Sequence, residues 1–205
     1  MEILFKDENI IVCIKPVGVD SENRMPQLIC NEIKEIKITP FAVHRLDLNV
    51  GGVMVYALNK KTAAMLSQLI ANGEMVKEYV ACVHGVTDEK GDWEDLLWKD
   101  SKKNKVYVVN RMRGGVKKAR LEFKRLWTDG NVSKVHVRLH TGRSHQIRVQ
   151  FASRKFPLVG DHKYGSRDEA KEPMLFSCRL TFPYKNKVAT FEAFPSWCDV
   201  GEKSK

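Results

Sequence analysis

A candidate reactive carboxylate is the first chemical feature of this sequence, in the segment AVHRLDLNVGGVMVYA at residues 42–57. His44, Arg45 and Asp47 stand directly before the pair Gly51-Gly52 and an apolar run. A carboxylate near a guanidinium, next to glycines that permit positive φ and close approach of another chain segment, is more typical of a reactive site than of a core. The alternative interpretation is an Asx turn in which Asp47 leads into the following strand. The segment by itself leaves both interpretations open.

A candidate anion site lies about a hundred residues downstream, in the segment HTGRSHQIR at residues 140–148. Gly142 predicts a sharp turn from a strand into a helix, which would expose Arg143. Ser144 is the predicted N-cap of that helix, which we expect to run through Ala152. An arginine at a helix N-terminus favours an anion, because the helix dipole and the guanidinium act together.

A tyrosine and three histidines complete the set of candidate groups. Tyr79 lies early in a predicted strand at residues 77–85 and, as a lone residue, is more typical of packing than of a catalytic phenol. His44, His140 and His145 flank arginines and lack the spacing of a helical histidine pair, so we expect hydrogen-bonding roles and no metal site.

Composition narrows the class of protein. The 205 residues suffice for one domain with a substantial core, and no apolar run approaches the roughly 20 residues of a membrane span. Five scattered cysteines form neither a zinc motif nor a disulfide framework, and the acidic start MEILFKDENI lacks the features of a signal peptide. We therefore expect a cytoplasmic protein. The net charge of +10, concentrated at residues 99–105, 111–120 and 134–154, indicates polyanionic partners.

The elements that must position these groups are mostly strands. Alternating or apolar runs predict strands at residues 10–14, 53–58, 77–85, 119–127, 132–140, 174–182 and 188–194. Asn59 and Gly73 predict the two ends of a helix of about thirteen residues. Residues 93–115 are highly charged, so we expect either irregular structure or a ribbon that reaches beyond the core, with residues 106–109 as a possible paired part.

In their order along the chain, these segments resemble the RluA-type pseudouridine synthases. The family's first motif is similar to Lys15-Pro16-x-Gly18, its catalytic motif to His44-Arg45-Leu46-Asp47 and its tyrosine strand to Lys77-Glu78-Tyr79. Its arginine motif is similar to residues 140–148, which Gly160-Asp161 and Tyr164-Gly165 follow. Order and spacing together make coincidence improbable, and they favour a catalytic Asp47 over a simple turn.

The resemblance implies an α+β pseudouridine synthase fold, with mainly antiparallel mixed sheets around a central cleft and a few flanking helices. We expect one catalytic domain over residues 1–200 and a frayed tail at residues 201–205. The family often carries an S4-like RNA-binding domain ahead of the catalytic domain. Because residues 3–14 already match the start of the catalytic part, we expect this chain to lack it and to recognise RNA through the catalytic domain.

The resemblance also implies the roles of individual residues. Asp47 would be the essential carboxylate, Tyr79 the phenol lying against the target base and Arg143 the cation paired with Asp47. A second group would bind RNA or the base; its members are His44, Arg45, Arg148 and Leu175. No cofactor or metal is expected.

The implied function is isomerisation of specific uridines in ribosomal or transfer RNA, by a monomer with no membrane partner. The family usually places Thr-Ser-Gly where this chain has Val50-Gly51-Gly52, which removes two hydroxyls from the loop. One alternative is therefore an RNA-binding module of the same fold with weak or no catalysis. Another is a glycosidase-like hydrolase, which the lack of an evident acid partner disfavours.

Overall fold

The computed structural model describes residues 1–36 and 38–198, which fall into two compact units. Among the described residues, unit 1 contains those of 1–77 and 176–194, and unit 2 contains those of 78–175 and 195–198. Both units combine strands with helices, so the predicted α+β class is confirmed. The predicted tail at residues 201–205 and the predicted domain end at residue 200 lie outside the described residues.

Unit 1 is built on a mixed sheet. Its strands are ordered β1 (Ile3–Lys6), β2 (Ile10–Lys15), β4 (Gly51–Ala57) and β10 (Leu175–Tyr184), with β3 (Phe41–Ala42) on β4 and β11 (Lys187–Glu192) on β10. The β4 and β10 pair is parallel, with Phe176 opposite Gly51, whereas β1, β2 and β3 pair antiparallel. Every residue of β4 is buried, which explains its almost continuous apolar sequence.

Two helices belong to unit 1: α1 (Arg24–Glu32) and α2 (Lys60–Ala71). The Asn59 side chain accepts a 2.8 Å hydrogen bond from the Thr62 amide, and Gly73 follows with φ +74°. These contacts confirm both predicted ends of α2. Leu66 is fully buried and joins the core formed with Val53 and Val55, so this helix covers the sheet.

Unit 2 contains a sheet in the order β5 (Val76–His84), β9 (Val132–Leu139), β8 (Val116–Thr128), β6 (Lys90–Asp100) and β7 (Lys105–Val109), in which β9, β8, β6 and β7 pair antiparallel. Helix α3 (Gln146–Ser153) packs on β6 and β7 through a cluster that joins Leu97, Val106 and Val149. The predicted hairpin around residues 128–131 is confirmed as the β8 and β9 pair.

The charged region at residues 93–115 contains ordered strands. The structure contradicts the irregular alternative and confirms the ribbon, because β6 pairs with β7 from Leu96 opposite Val109 to Asp100 opposite Lys105. Asp92 and Glu94 of β6 and Lys118 of β8 are exposed, whereas Leu97 and Ala119 are buried. The charges therefore mark a solvated sheet face.

The entry into α3 differs from the prediction. His145, with φ 52° and ψ 22°, precedes the helix in the left-handed conformation, and no side-chain hydrogen bond caps the helix. The predicted N-cap at Ser144 was wrong, whereas Arg143 is exposed between β9 and α3 as predicted, although Gly142 does not have positive φ. A histidine tolerates the left-handed region better than a branched residue, and tertiary contacts of its ring described below hold it there.

None of the helices described within residues 1–36 and 38–198 is long and apolar enough to cross a membrane. All five cysteines are free thiols.

Candidate active site

Asp47 lies on a short turn between β3 and β4, where it is half-buried. Its carbonyl accepts a 3.0 Å hydrogen bond from the Val50 amide, so the backbone closes the turn. The residue before it, Leu46, is held by Ser21: the Ser21 hydroxyl lies 3.1 Å from both the Leu46 carbonyl and the Leu46 amide. The Ser21 carbonyl in turn accepts a 2.8 Å hydrogen bond from the Tyr56 hydroxyl of β4. The sheet therefore fixes the backbone of this turn on its N-terminal side.

The other side of the turn is held by Lys15, a residue to which the sequence alone assigned no role. Its side chain is fully buried, and Nζ donates to the carbonyls of Pro16 (2.9 Å), Val19 (2.7 Å) and Leu48 (3.2 Å). The Leu48 carbonyl also accepts a 2.9 Å bond from the Gly18 amide. The first motif and the Asp47 turn are thus joined at the residue that follows Asp47.

Burial lowers the pKa of Lys15 to about 8, and the carboxylates of Asp20 and Asp47 oppose that shift. At neutral pH the side chain therefore remains largely an ammonium. The Lys15 ammonium therefore places a positive charge near the Asp47 carboxylate. The signal in the sequence was a lysine placed between an apolar strand and a proline, where a solvated lysine is not expected.

The two glycines after the turn have a steric role. Gly52 has φ +131°, and a Cβ at this position would clash with the backbone of Ser177 on the neighbouring β10. The expected positive φ and close approach are therefore confirmed at Gly52. A Cβ on Gly51 would lie 3.2 Å from the Lys15 carbonyl, which is tight, and the preceding Val50 is buried. Of the two residues that replace the family's Thr-Ser, Val50 is therefore buried, and Gly51 is at a position where a side chain would be crowded.

His44 and Arg45 differ in their surroundings. The Nε2 atom of His44 accepts a 3.1 Å hydrogen bond from the Val55 amide, which places the ring proton on Nδ1. Burial, and then the positive charge of Lys77, lower the pKa of His44 to about 3, so the ring is neutral. Through its hydrogen bond with Val55, the ring connects the segment from His44 to Asp47 with β4. Arg45 lies 3.6 Å from Glu22, and both side chains are more than half exposed, so this ion pair is weak and competes poorly with a phosphate.

Unit 2 carries the other four predicted site residues, Tyr79, Arg143, Arg148 and Leu175. Tyr79 is the fourth residue of β5 and Leu175 is the first residue of β10, and each side chain is 7% exposed. The pairing of Asp47 with Arg143, and contact of Tyr79 and Leu175 with a base, stay predictions.

Arg143 is exposed on a loop that Gln146 organises. The Gln146 Oε1 atom accepts bonds from the Arg143 amide (3.0 Å) and the Thr141 hydroxyl (2.8 Å), while Nε2 donates to the Arg120 carbonyl of β8 (3.0 Å). The Arg143 side chain is directed by a 2.9 Å bond from its Nε to the Lys118 carbonyl. This leaves the outer edge of the guanidinium for an anion. Gln146 is not among the site residues predicted from the sequence, because a glutamine at the start of a helix has no distinctive pattern.

Arg148 forms a buried ion pair with Asp161. Its Nε and Nη2 atoms lie 2.6 and 2.8 Å from the two carboxylate oxygens, and the side chains are 8% and 1% exposed. The guanidinium also stacks 5.1 Å from the Tyr164 ring centre. Tyr164 accepts a 2.9 Å bond from the Val106 amide and lies 2.8 Å from Nδ1 of the left-handed His145. These contacts give Arg148 a positioning role for the Arg143 loop, and its predicted contact with RNA stays a prediction.

Two side chains of the basic face predicted at residues 134–140 contact carboxylates. His136 lies 3.5 Å from Glu78, and His140 lies 2.8 Å from Glu122. The predicted contact of this face with phosphates stays a prediction. Within the described parts of the chain, no group of three or more His, Cys, Asp or Glu side chains could hold a metal ion.

Comparison with known proteins identifies the class. Residues 9–153 match the sequence model of a family described as RNA pseudouridylate synthase. This match covers well over half of the chain, so the protein belongs to the RNA pseudouridylate synthase family.

Named relatives agree with this assignment. The chain is 33% identical over 181 residues to ribosomal large subunit pseudouridine synthase D of Borreliella burgdorferi, covering 81% of this chain and 55% of that protein. It is 25% identical over 202 residues to an uncharacterized RNA pseudouridine synthase of Haemophilus influenzae, covering 96% and 88%. The chain therefore spans only about half the length of some of its curated relatives.

The fold has solved counterparts. Human RNA pseudouridylate synthase domain containing 4 superposes with a TM-score of 0.82 at 22% identity, covering 96% of this chain and 89% of that one. The similarity confirms the predicted pseudouridine synthase fold.

Proposed function

We propose that this protein is an RNA pseudouridine synthase that isomerises uridines in structured RNA, with Asp47 as the essential carboxylate. The observation that carries the proposal is the fixed position of Asp47 within a member of this family. Ser21 holds the residue before it and Lys15 the residue after it, and the Lys15 ammonium interacts with the Asp47 carboxylate. Fixed, charged groups are what a reaction through a polar transition state requires.

The proposed reaction rearranges bonds within one nucleotide. The N1 to C1′ glycosidic bond breaks, the uracil rotates while bound, a C5 to C1′ bond forms, C5 loses a proton and N1 gains one. Two assignments suit the Asp47 carboxylate: attack on C1′, in which it leaves again as the C5 to C1′ bond forms, or removal of the proton at C2′, which is returned in the same step. Deuterium at C2′ gives a large, primary kinetic isotope effect only under the second assignment, so the size of the effect distinguishes them.

The remaining predicted residues have matching roles. Tyr79 stacks on the base and accepts the C5 proton, directly or through water, and Leu175 contacts the uracil. The exposed guanidinium of Arg143 pairs with Asp47, and Arg45 exchanges Glu22 for RNA once the base has left the stack. His44 supports its motif through the Val55 amide.

The competing function is an RNA-binding module without catalysis, for which Val50 and Gly51 were the argument. The contacts of Lys15 and Ser21 weaken this argument, because they hold the Asp47 turn without the two hydroxyls of the family's Thr-Ser. Family membership also favours catalysis. The name of the Borreliella relative supports ribosomal RNA as the first substrate to test.

The experiment compares the wild-type protein with Asp47→Asn on total RNA from cells that lack the protein, followed by pseudouridine mapping and a test for free uracil. We expect new pseudouridines with the wild type and none with Asp47→Asn. Glu22→Gln, which removes a nearby exposed carboxylate, is the matched control and should keep activity. Binding without product would support the module, release of uracil would support a hydrolase, and normal turnover by Asp47→Asn would refute the proposed role.

We also predict the oligomeric state and the compartment of the protein. We expect a monomer, which light scattering of the purified protein tests. A reducing, cytoplasmic compartment agrees with the five free thiols and is tested by fractionation of the source cells.

A further inference from the structure

An aromatic pair lies on the outer face of the β6 and β7 hairpin in unit 2. Trp98 and Tyr107 are directly opposite each other in the two strands, and their ring centres are 6.1 Å apart at an interplanar angle of 30°. Their neighbours Leu97 and Val106 pack with Val149 of α3. Because successive side chains of a strand point to opposite faces, the two rings lie on the face away from α3, where both are partly exposed.

Cations surround this pair. The guanidinium of Arg113 lies 5.4 Å from the Trp98 ring centre, and Nζ of Lys105 lies 5.8 Å from that of Tyr107. Residues 99–118 contain eight cationic side chains and one carboxylate, Asp100. That carboxylate accepts hydrogen bonds from the amides of Lys102 and Lys103. It thereby stabilises the turn on which these two lysines are exposed. The charge of this segment is therefore strongly positive.

The position of this surface relates it to the proposed chemistry. Trp98 lies opposite Val116 of β8. Two residues further along β8, the Lys118 carbonyl accepts a hydrogen bond from Nε of Arg143. Two residues of a strand span about 7 Å, so the aromatic pair borders the segment that directs Arg143.

We propose that Trp98 and Tyr107, with Arg113 and Lys105, form a platform that binds single-stranded RNA by stacking an unpaired base and holding its phosphates. The inference rests on the proposed function, because it assigns an RNA-contact surface to the same substrate. Exposed aromatic rings interleaved with cations are suited to this ligand: every base has a face that stacks, and every nucleotide carries a phosphate.

The test measures binding of a fluorescent oligouridylate of about twelve nucleotides to the full chain. Trp98→Leu keeps an apolar side chain but removes the aromatic face, and should weaken binding roughly 5- to 150-fold. Trp127→Leu is the matched control, since Trp127 is also a partly exposed tryptophan of unit 2 with a cation, Lys134, 5.4 Å from its ring. It should change binding less than about twofold. Equal losses in the two variants would overturn the proposal.

Two further arms separate stacking from charge and from folding. Inorganic polyphosphate should compete equally well for the wild type and Trp98→Leu, whereas Arg113→Gln should weaken both ligands and lower the slope of log affinity against log salt by about 0.7. Trp98→Phe keeps an aromatic face and should bind oligouridylate within about threefold of the wild type. Loss of polyphosphate binding in Trp98→Leu, or binding by Trp98→Phe as weak as by Trp98→Leu, would refute stacking.

Affinity and pseudouridine formation are measured separately, so the two proposals fail separately. If the wild type forms no pseudouridine but Trp98→Leu still loses binding, the platform stands and the proposed activity fails. If the wild type forms pseudouridine and Trp98→Leu binds normally, the activity stands and the platform fails.

Discussion

Replacing Asp161 by asparagine tests whether the buried ion pair with Arg148 holds unit 2 together. The wild-type pair has two short hydrogen bonds, of 2.6 and 2.8 Å, and both side chains are less than a tenth exposed. Removing one charge from such a pair leaves the other buried without compensation, at a typical cost of about 3–5 kcal/mol. Because the asparagine oxygen can still accept one hydrogen bond, we expect the lower end, about 3 kcal/mol.

The assay is urea unfolding followed by circular dichroism, with thermal unfolding as a second measure. For a chain of this size, about 3 kcal/mol corresponds to a fall in Tm of roughly 6–12 °C. Asp92→Asn is the matched control in the same unit. Asp92 and Arg120 also form two short hydrogen bonds, of 2.9 and 2.8 Å, but in solvent, so its loss should have little effect on stability.

A double variant tests whether the cost arises from an unpaired buried charge. Arg148→Met with Asp161→Leu removes both charges and should recover most of the stability, since apolar side chains can replace a buried pair. If Asp161→Asn costs no more than Asp92→Asn, the pair is not structural. If the stable double variant also keeps RNA affinity, the predicted contact of Arg148 with RNA is wrong and its role is positioning.

Three other predictions address pH dependence, sterics and loop organisation. The pKa of His44 falls from 6.5 in the unfolded chain to about 3 in the folded protein, so the unfolded state takes up its proton first and stability should decrease as the pH drops below 6.5. In urea unfolding at a series of pH values, the free energy of unfolding of His44→Gln should fall less below pH 6.5 than that of the wild type. An unchanged pH profile would contradict this prediction. Gly52→Ala should destabilise by more than about 1 kcal/mol, measured by thermal unfolding, because φ is +131° and a neighbouring strand fills the space, whereas Gly73→Ala adds Cβ in open space and should cost less. Gln146→Leu should reduce turnover more than stability because it releases the arginine loop, with Gln68→Leu on the α2 surface as control, and equal turnover in the two would refute it.

Sequence patterns predicted the fold well where burial or a cap left a distinct signal. The ends of α2 followed from Asn59 and Gly73, and the hairpin of β8 and β9 followed from its turn residues. The long strand β6 was obscured because its outer face carries charges, and single-sequence periodicity cannot distinguish a charged sheet face from a loop. The helix entry at His145 was missed for a different reason: its left-handed backbone depends on tertiary contacts with Tyr164.

The candidate site was only partly predictable. Residue types and motif order identified Asp47, Tyr79 and Arg143 as candidates. They could not identify Lys15 or Gln146 as organisers, because both act by binding backbone carbonyls and amides that are distant in sequence. Such partners become visible only when the fold brings the chain segments together.

The exchange of Thr-Ser for Val50-Gly51 now has a physical explanation. A valine has nearly the shape of threonine, and at a buried position its methyl groups fill the space without a hydroxyl that would need a partner. A serine side chain at Gly51 would press on the Lys15 carbonyl, which lies 3.2 Å from the Cβ position. The backbone bonds of Lys15 and Ser21 supply the rigidity that the hydroxyls would otherwise give. Restoring Thr-Ser at these positions should therefore disturb the Asp47 turn more than it helps it, which would appear as a lower Tm without a gain in turnover.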